Sequence, residues 1–222
     1  MLQIVLELAR PVVWGIARLY FRVRYEGVEH VPRTGPLLIL ANHVSYADPV
    51  LITIPIRRPI HYLAWARFFR IPLFGPLIRW LRAFPVNLDE PDPQAVRTII
   101  RLLKVGAAVL VFPEGGRTPD GRVQPLKDGA VRLALRLKVP VCLVSIAGAF
   151  DAWPLHHRFP RPGLARIRFH PPFLLRLSGE TGNPDERIRH LAEELREQLE
   201  RGQEFLRVAL LFLGSWLPLG FI

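Results

Sequence analysis

Pro36-Leu37-Leu38-Ile39-Leu40-Ala41-Asn42-His43-Val44-Ser45-Tyr46-Ala47-Asp48 carries the change of character on which the fold depends. From Pro36 to Ala41 the chain is continuously apolar with no amphipathic period, the pattern of a strand buried on both faces. It stops at Asn42 and His43, so a side chain able to move protons stands at the mouth of a buried strand. Asp48 lies five residues beyond His43, whereas neighbours on one helix face are three or four apart. The two meet only when His43 lies on the strand-to-helix turn and Asp48 points back from the first helical turn. In that arrangement Asp48 fixes the tautomer of His43 and favours the imidazolium formed when His43 accepts a proton. The spacing alone is weakly specific, because a His closing a turn and an Asp near a helix start give the same pattern.

A second unit repeats this logic. Val109 to Phe112 reads as a buried strand delivering Pro113-Glu114-Gly115-Gly116-Arg117-Thr118 at its carboxyl end, where open α/β sheets bind ligands. Taken alone, Glu114 and Arg117 also suit a solvated turn pair. Around these units the chain alternates. Arg22 to Tyr25 reads as a strand, residues 48–55 as a short helix, Ile60 to Ala64 and Ala83 to Asn87 as strands. Asp92 caps a helix that starts at Pro93 and carries the stripe Val96, Ile99, Ile100 and Leu103. Asp128 caps the next, Val131 to Lys138; Val139 to Ile146 is a third apolar strand, and the alternation at Ile167 and Phe169 suggests a half-exposed fourth. Asn183-Pro184-Asp185-Glu186 opens a last helix, with Ile188, Leu191, Ala192, Leu195 and Leu199 on its buried face. Such alternation predicts a single α/β domain with a central sheet flanked by helices.

Both ends of the chain are greasy. In residues 2–23 the polar positions Gln3, Glu7, Arg10, Arg18 and Arg22 fall within about a third of the helical circumference. That pattern fits an amphipathic helix lying in a membrane interface, with a core-packing helix as the alternative. Charges and Pro11 argue against a span, and the segment lacks the basic leader and cleavage site of a secretory signal. Beyond Arg207 the chain is apolar to Ile222, a tail suited to dipping into one leaflet. The segment Arg67 to Arg82, apolar with interspersed Arg and broken by Pro72, Gly75 and Pro76, is a candidate for membrane contact or a substrate channel. A hydrophobic fraction of 50%, mean hydropathy of +0.20 and net charge of +11 favour an anionic lipid surface or phosphate-bearing partner. Nucleic acid is disfavoured by scattered Arg residues and the lack of a recognised binding motif. The single cysteine, Cys142, excludes an intrachain disulfide. His156, His157 and His170 lack a recognised ligand spacing, so no metal is expected. Phosphate-binding and dinucleotide-binding glycine loops and the G-x-S-x-G elbow are absent from the sequence.

The blocks Asn42-His43-Val44-Ser45-Tyr46-Ala47-Asp48 and Phe112-Pro113-Glu114-Gly115-Gly116-Arg117 together resemble the glycerolipid acyltransferases of the 1-acylglycerol-3-phosphate acyltransferase family. Ile71-Pro72-Leu73-Phe74-Gly75 with Phe84-Pro85-Val86-Asn87, and Lys138-Val139-Pro140-Val141-Cys142-Leu143-Val144, resemble its two remaining signatures, and Leu126-Lys127-Asp128-Gly129 a short basic element between the third and fourth. The resemblance spans residues 20–150. It implies His43 as general base and Asp48 as its orienter, with Asn42 and Ser45 in support. It also implies acceptor binding by Glu114, Gly115, Arg117 and Lys127, with Glu114 towards glycerol hydroxyls and Arg117 towards phosphate. The donor is acyl-CoA or acyl carrier protein, and no cofactor is needed because the thioester carries the activation.

Asn87 and Leu88 stand where the family has an acidic residue and a phosphate-binding Arg, and Gly116 replaces the usual Thr or Ser. Leu143 replaces a Pro of the fourth block. Arg79 and Arg82 are candidates to replace the missing cation. Transfer to another lysolipid, glycolipid or alcohol is the alternative these departures favour. A non-enzymatic basic membrane protein fits only the charge and the ends. The expected organisation is a membrane-interface anchor helix over 1–23, an acyltransferase domain over 24–182, and a C-terminal helix with an apolar membrane-associating tail over 183–222. The expected location is the cytoplasmic face of the cell membrane, peripheral or monotopic.

Overall fold

Every residue of the run Leu37–Ala41 is buried, and it forms a central strand of a mixed eight-stranded sheet. The structure is a computed structural model that describes residues 11, 14–88, 90–177 and 183–214. In chain order the elements are α1 (residues 14–20), β1 (Arg24–Glu26), β2 (Leu37–Ala41), α2 (Asp48–Thr53), β3 (Ile60–Trp65), α3 (Phe74–Trp80), β4 (Ala83–Val86) and α4 (Pro93–Lys104). There follow β5 (Ala108–Val111), α5 (Gly129–Leu137), β6 (Pro140–Ala147), α6 (Ala149–Ala152), β7 (Arg166–Phe169), β8 (Phe173–Leu174) and α7 (Pro184–Gly214). Short 3-10 turns lie at Val28–His30 and Ala66–Arg70.

The sheet order is β1-β7-β6-β2-β5-β3-β4, with β8 also pairing β6. β2 to β6 run parallel, so the loops after β2, β3, β5 and β6 emerge at one edge. β7 and β8 return antiparallel to β6, and β1 runs parallel to β7. Side chains alternate across a strand, and β2 therefore feeds two cores. Leu37, Ile39 and Ala41 face a layer with Phe21, Leu51 and Ile52, whereas Leu38 and Leu40 face one built from α4, α5 and α7. Burial on both faces is why the run reads as uninterrupted hydrophobicity.

The helices follow their sequence signals with three differences. Asp92 caps α4 as expected, its carboxylate accepting from the N–H groups of Gln94 and Ala95. Within α4, however, Ala95, Ile99 and Leu103 are buried and Val96 is exposed, so the stripe is rotated by one residue. Asp128 makes no side-chain cap to α5 and instead pairs with Arg132 at 2.8 Å. The segment 67–82, in which Pro72, Gly75 and Pro76 read as breaks, lies in a 3-10 turn and α3, and Gly75 and Pro76 fall inside the helix. On α7, Ile188, Ala192, Leu195 and Leu199 are buried against the sheet and Leu191 is half-buried.

At the amino end, Ala17 and Phe21 pack into the core while Ile16 and Leu19 are exposed. Most of the stretch expected as an interface anchor, and residues 215–222 of the apolar tail, lie outside the described residues. Among the described residues no helix is long and apolar enough to cross a membrane.

Candidate active site

β2 delivers Asn42 and His43 to the carboxyl edge. Asn42 is buried and pegs this end of β2 to β6, its Nδ2 donating to the Ile146 carbonyl at 3.0 Å and its Oδ1 accepting from the Ile146 N–H at 2.8 Å. The chain then turns, and Asp48 begins α2 with Pro49 in its first turn. Asp48 Oδ2 accepts from the N–H groups of Val44 and Ser45, both at 2.7 Å, and from His43 Nδ1 at 2.9 Å. The five-residue spacing thus closes through a turn whose own amides converge on the carboxylate.

A carboxylate can only accept, so Nδ1 carries the proton and Nε2 presents a lone pair. The Asp48 side chain is fully buried and that of His43 is 17% exposed, which leaves one ring edge in reach of a ligand. Ser45 supports the turn by donating to the Trp153 carbonyl at 3.0 Å and accepting from the Ala47 N–H.

The loop after β5 grips His43 from the other side. Phe112 stacks on the imidazole with ring centroids 3.9 Å apart and planes inclined by 16°. Glu114 Oε1 accepts the His43 main-chain N–H at 2.6 Å, Oε2 accepts the Gln124 N–H at 2.8 Å, and the Thr118 N–H donates to the His43 carbonyl at 2.9 Å. Glu114 is buried, unlike a carboxylate displayed to solvent for a ligand. Its two oxygens brace the His43 turn and the far side of its own loop.

Burial pushes the Glu114 carboxyl up to about 7, against the opposing effect of the Gln124 and His43 amides. Its folded-state value lies above the ordinary 4.5. Its contribution to stability is therefore fully present below about pH 4.5 and lost as pH rises through about 7. The unfolding free energy of wild type minus that of Glu114→Gln, from urea melts, is expected to fall by on the order of 3 kcal/mol across this window. A difference independent of pH would mean that the carboxyl is unperturbed.

Arg117 lies over the Tyr46 ring, its guanidinium carbon 3.4 Å from the centroid, and Tyr46 in turn packs on Trp153. Burial lowers the Arg117 pKa from its usual value, opposed by Tyr46 and Asp48. The guanidinium is held on the same turn that carries His43. Gly115 adopts φ 78°, and a Cβ there would run into the Lys127 side chain. Lys127 donates its main-chain N–H to the Pro113 carbonyl at 2.8 Å. The four loop residues singled out from sequence are thus brought together with His43 and Asp48.

Arg82 is not among them. Its carbonyl accepts from the Tyr62 N–H, and after burial its charge is the second cause lowering the pKa of His61, placing it by the first half of β3 and away from the edge that bears His43. Arg79 sits over the Phe69 ring, and Leu88 is exposed. Cys142 is a buried thiol pushed up to about 12. His170 pairs with Ser145 at 3.0 Å, and among the described residues no group of three or more His, Cys, Asp or Glu side chains converges as a metal site.

Sequence reasoning gave no role to Phe112, Gln124, Gln203 or Arg207. On α7, Gln203 donates to the carbonyls of Gly121 and Ile146, both at 3.1 Å, and Arg207 also donates to Gly121. The last helix therefore anchors the loop that grips His43. Tyr46, lying between the two motif residues, was the one partner of Arg117 with a visible signal.

The chain belongs to the Acyltransferase family, whose model matches residues 22–147. The 1-acyl-sn-glycerol-3-phosphate acyltransferase of Bacillus subtilis is 32% identical over 127 residues, covering 57% of this chain and 63% of its own length. That of Pseudomonas aeruginosa is 28% identical over 165 residues, covering 71% and 62%. The matched region thus spans less than two thirds of these relatives. The crystal structure of the 1-acyl-sn-glycerophosphate (LPA) acyltransferase PlsC from Thermotoga maritima aligns with a TM-score of 0.68 at 30% identity, covering 90% of this chain and 82% of that one.

Proposed function

We propose that the protein moves a fatty acyl group from acyl-CoA or acyl carrier protein to the free hydroxyl of 1-acylglycerol 3-phosphate, forming phosphatidate for phospholipid synthesis. The observation that carries this is the His43–Asp48 pair, with Nδ1 held by a buried carboxylate and the opposite nitrogen left as a base. His43 Nε2 takes the hydroxyl proton as the acceptor oxygen attacks the thioester carbonyl. The new ester C–O bond forms and the C–S bond breaks. The departing thiolate recovers the proton from the imidazolium, so no acyl-enzyme and no cofactor are required. Asp48 orients the ring and stabilises its charged form.

Arg117, braced on Tyr46, suits the acceptor phosphate because a guanidinium fork matches phosphate oxygens. Lys127, folded over Gly115, offers a second cation. The family resemblance assigns Glu114 to the acceptor's hydroxyls. The engagement of both its oxygens by main-chain amides favours a role in holding the His43 turn. Such substrates reside in a bilayer, which supports peripheral attachment at the cytoplasmic face of the cell membrane.

The test is transfer from labelled acyl-CoA, and in parallel from acyl carrier protein, to lysophosphatidate and a panel of other lysolipids and alcohols. Arg117→Lys keeps the charge but loses the fork, and is expected to raise KM for lysophosphatidate by roughly tenfold. Saturable turnover preferring lysophosphatidate supports the assignment. Equal or better turnover of an acceptor without phosphate would favour the second reading, acylation of another membrane hydroxyl, to which Leu88 and Gly116 point.

A further inference from the structure

The loop leaving β3 presents apolar side chains to the outside. Leu73 is 88% exposed and holds φ 64°, in the left-handed region that a leucine rarely occupies. Ile71, Phe74 and Leu77 beside it are also exposed. The turn that displays them is built tightly. The Gly75 N–H donates to the Ile71 carbonyl at 2.8 Å, and a Cβ on Gly75 would strike the Phe69 main chain. Strain at an exposed apolar tip, backed by close packing behind it, is the mark of a displayed surface rather than of a slack loop.

Its position and charge indicate the partner. The 3-10 turn Ala66–Arg70 directly continues β3, so the tip lies at the sheet edge from which His43 projects. From Ala66 to Leu81 the sequence contains Arg67, Arg70 and Arg79 and no Asp or Glu. Arg67 and Arg70 immediately precede the tip. Exposed Leu19 on α1 and Leu211 on α7 belong to the same end of the molecule, because Phe21 bonds Ala165 beside β7 and Arg207 bonds Gly121. An apolar tip behind a basic collar complements anionic headgroups over acyl chains.

We infer that the turn 71–77 is a wedge that enters an anionic lipid bilayer and sets the His43 edge against it. This rests on the membrane-attached reading above. It gives the tip a purpose: lipid acceptors reach His43 from the leaflet that the wedge has entered.

Because Cys142 is buried, a cysteine added at the tip takes a thiol-reactive label selectively. The full chain carrying Leu73→Cys is labelled with an environment-sensitive fluorophore and mixed with vesicles of phosphatidylglycerol and phosphatidylcholine. Val105→Cys, 74% exposed between α4 and β5 at the opposite edge, serves as control. The expected result is a blue shift and quenching by nitroxides in the acyl chains at residue 73 and neither at residue 105. In the unlabelled protein, Leu73→Asp is expected to weaken partitioning roughly tenfold, as removal of one buried apolar side chain does. Wild type that fails to co-sediment with vesicles would remove the membrane reading and the wedge with it. Wild type that binds while residue 73 stays in water would overturn the wedge alone and assign attachment to the termini.

Discussion

His43→Ala is expected to lower kcat for acyl transfer by about 10²- to 10⁴-fold, the usual cost of losing a general base. The alcohol of a lysolipid is a poor nucleophile until its proton leaves, and among the described residues no other group of the site is placed to take it. Asp48 is sealed behind three N–H donors, and Glu114 is occupied by two main-chain amides. The change deletes a ring that stacks on Phe112 but leaves the bonds that His43 makes through its main-chain N–H to Glu114 and its carbonyl to Thr118. Acceptor binding should therefore survive, and KM should move far less than kcat. Transfer of labelled acyl groups to lysophosphatidate in vesicles reads both. Turnover that is indifferent to the substitution would remove His43 from the chemistry.

Glu114→Gln is expected to lower kcat on the order of 10²-fold while KM for the acceptor stays within about twofold. The carboxylate has two acceptor oxygens, and both face N–H donors. A carboxamide has one oxygen, so its NH₂ must oppose the amide of either His43 or Gln124. The turn that aims His43 then shifts, and a misplacement of about 1 Å is enough to cost two orders of magnitude. A carboxylate that bound the acceptor's hydroxyls would give the other pattern, with KM rising and kcat largely kept. Near-normal kcat with a KM raised more than about tenfold would return Glu114 to the acceptor.

The strands at the centre were legible because they are buried on both faces: Leu37–Ala41, Ala108–Val111 and Pro140–Ala147 carry apolar residues at nearly every position, and only a residue or two moved at each end. The short edge elements were less so. β8 has two residues, and α3 begins at a tight turn containing Pro72 and Gly75, which read locally as a break. Asp92 and Asp128 show why capping signals differ in reliability. Both precede a helix, but Arg132 sits one turn on from Asp128 and captures its carboxylate, whereas no cation is so placed after Asp92. At the site, the turn that would let His43 meet Asp48 followed from their spacing, and the structure forms it. The engagement of Glu114 did not, because its partners are main-chain amides that carry no residue identity in the sequence. Nor did the placement of Arg82, which depends on the register of β3 with β4.

The ties from Gln203 and Arg207 to Gly121, and from Asn42 to Ile146, bear on how the protein is made. His43 and Asp48 leave the ribosome together, but the bonds that steady their surroundings span much of the sequence. Synthesis proceeds from the amino end at about 5–20 residues per second, and contacts between distant segments wait for both partners. A nascent chain that has just passed Trp153 therefore holds the residues around His43 and still lacks the helix that fixes its loop. Competence arrives with α7 rather than with the motif itself.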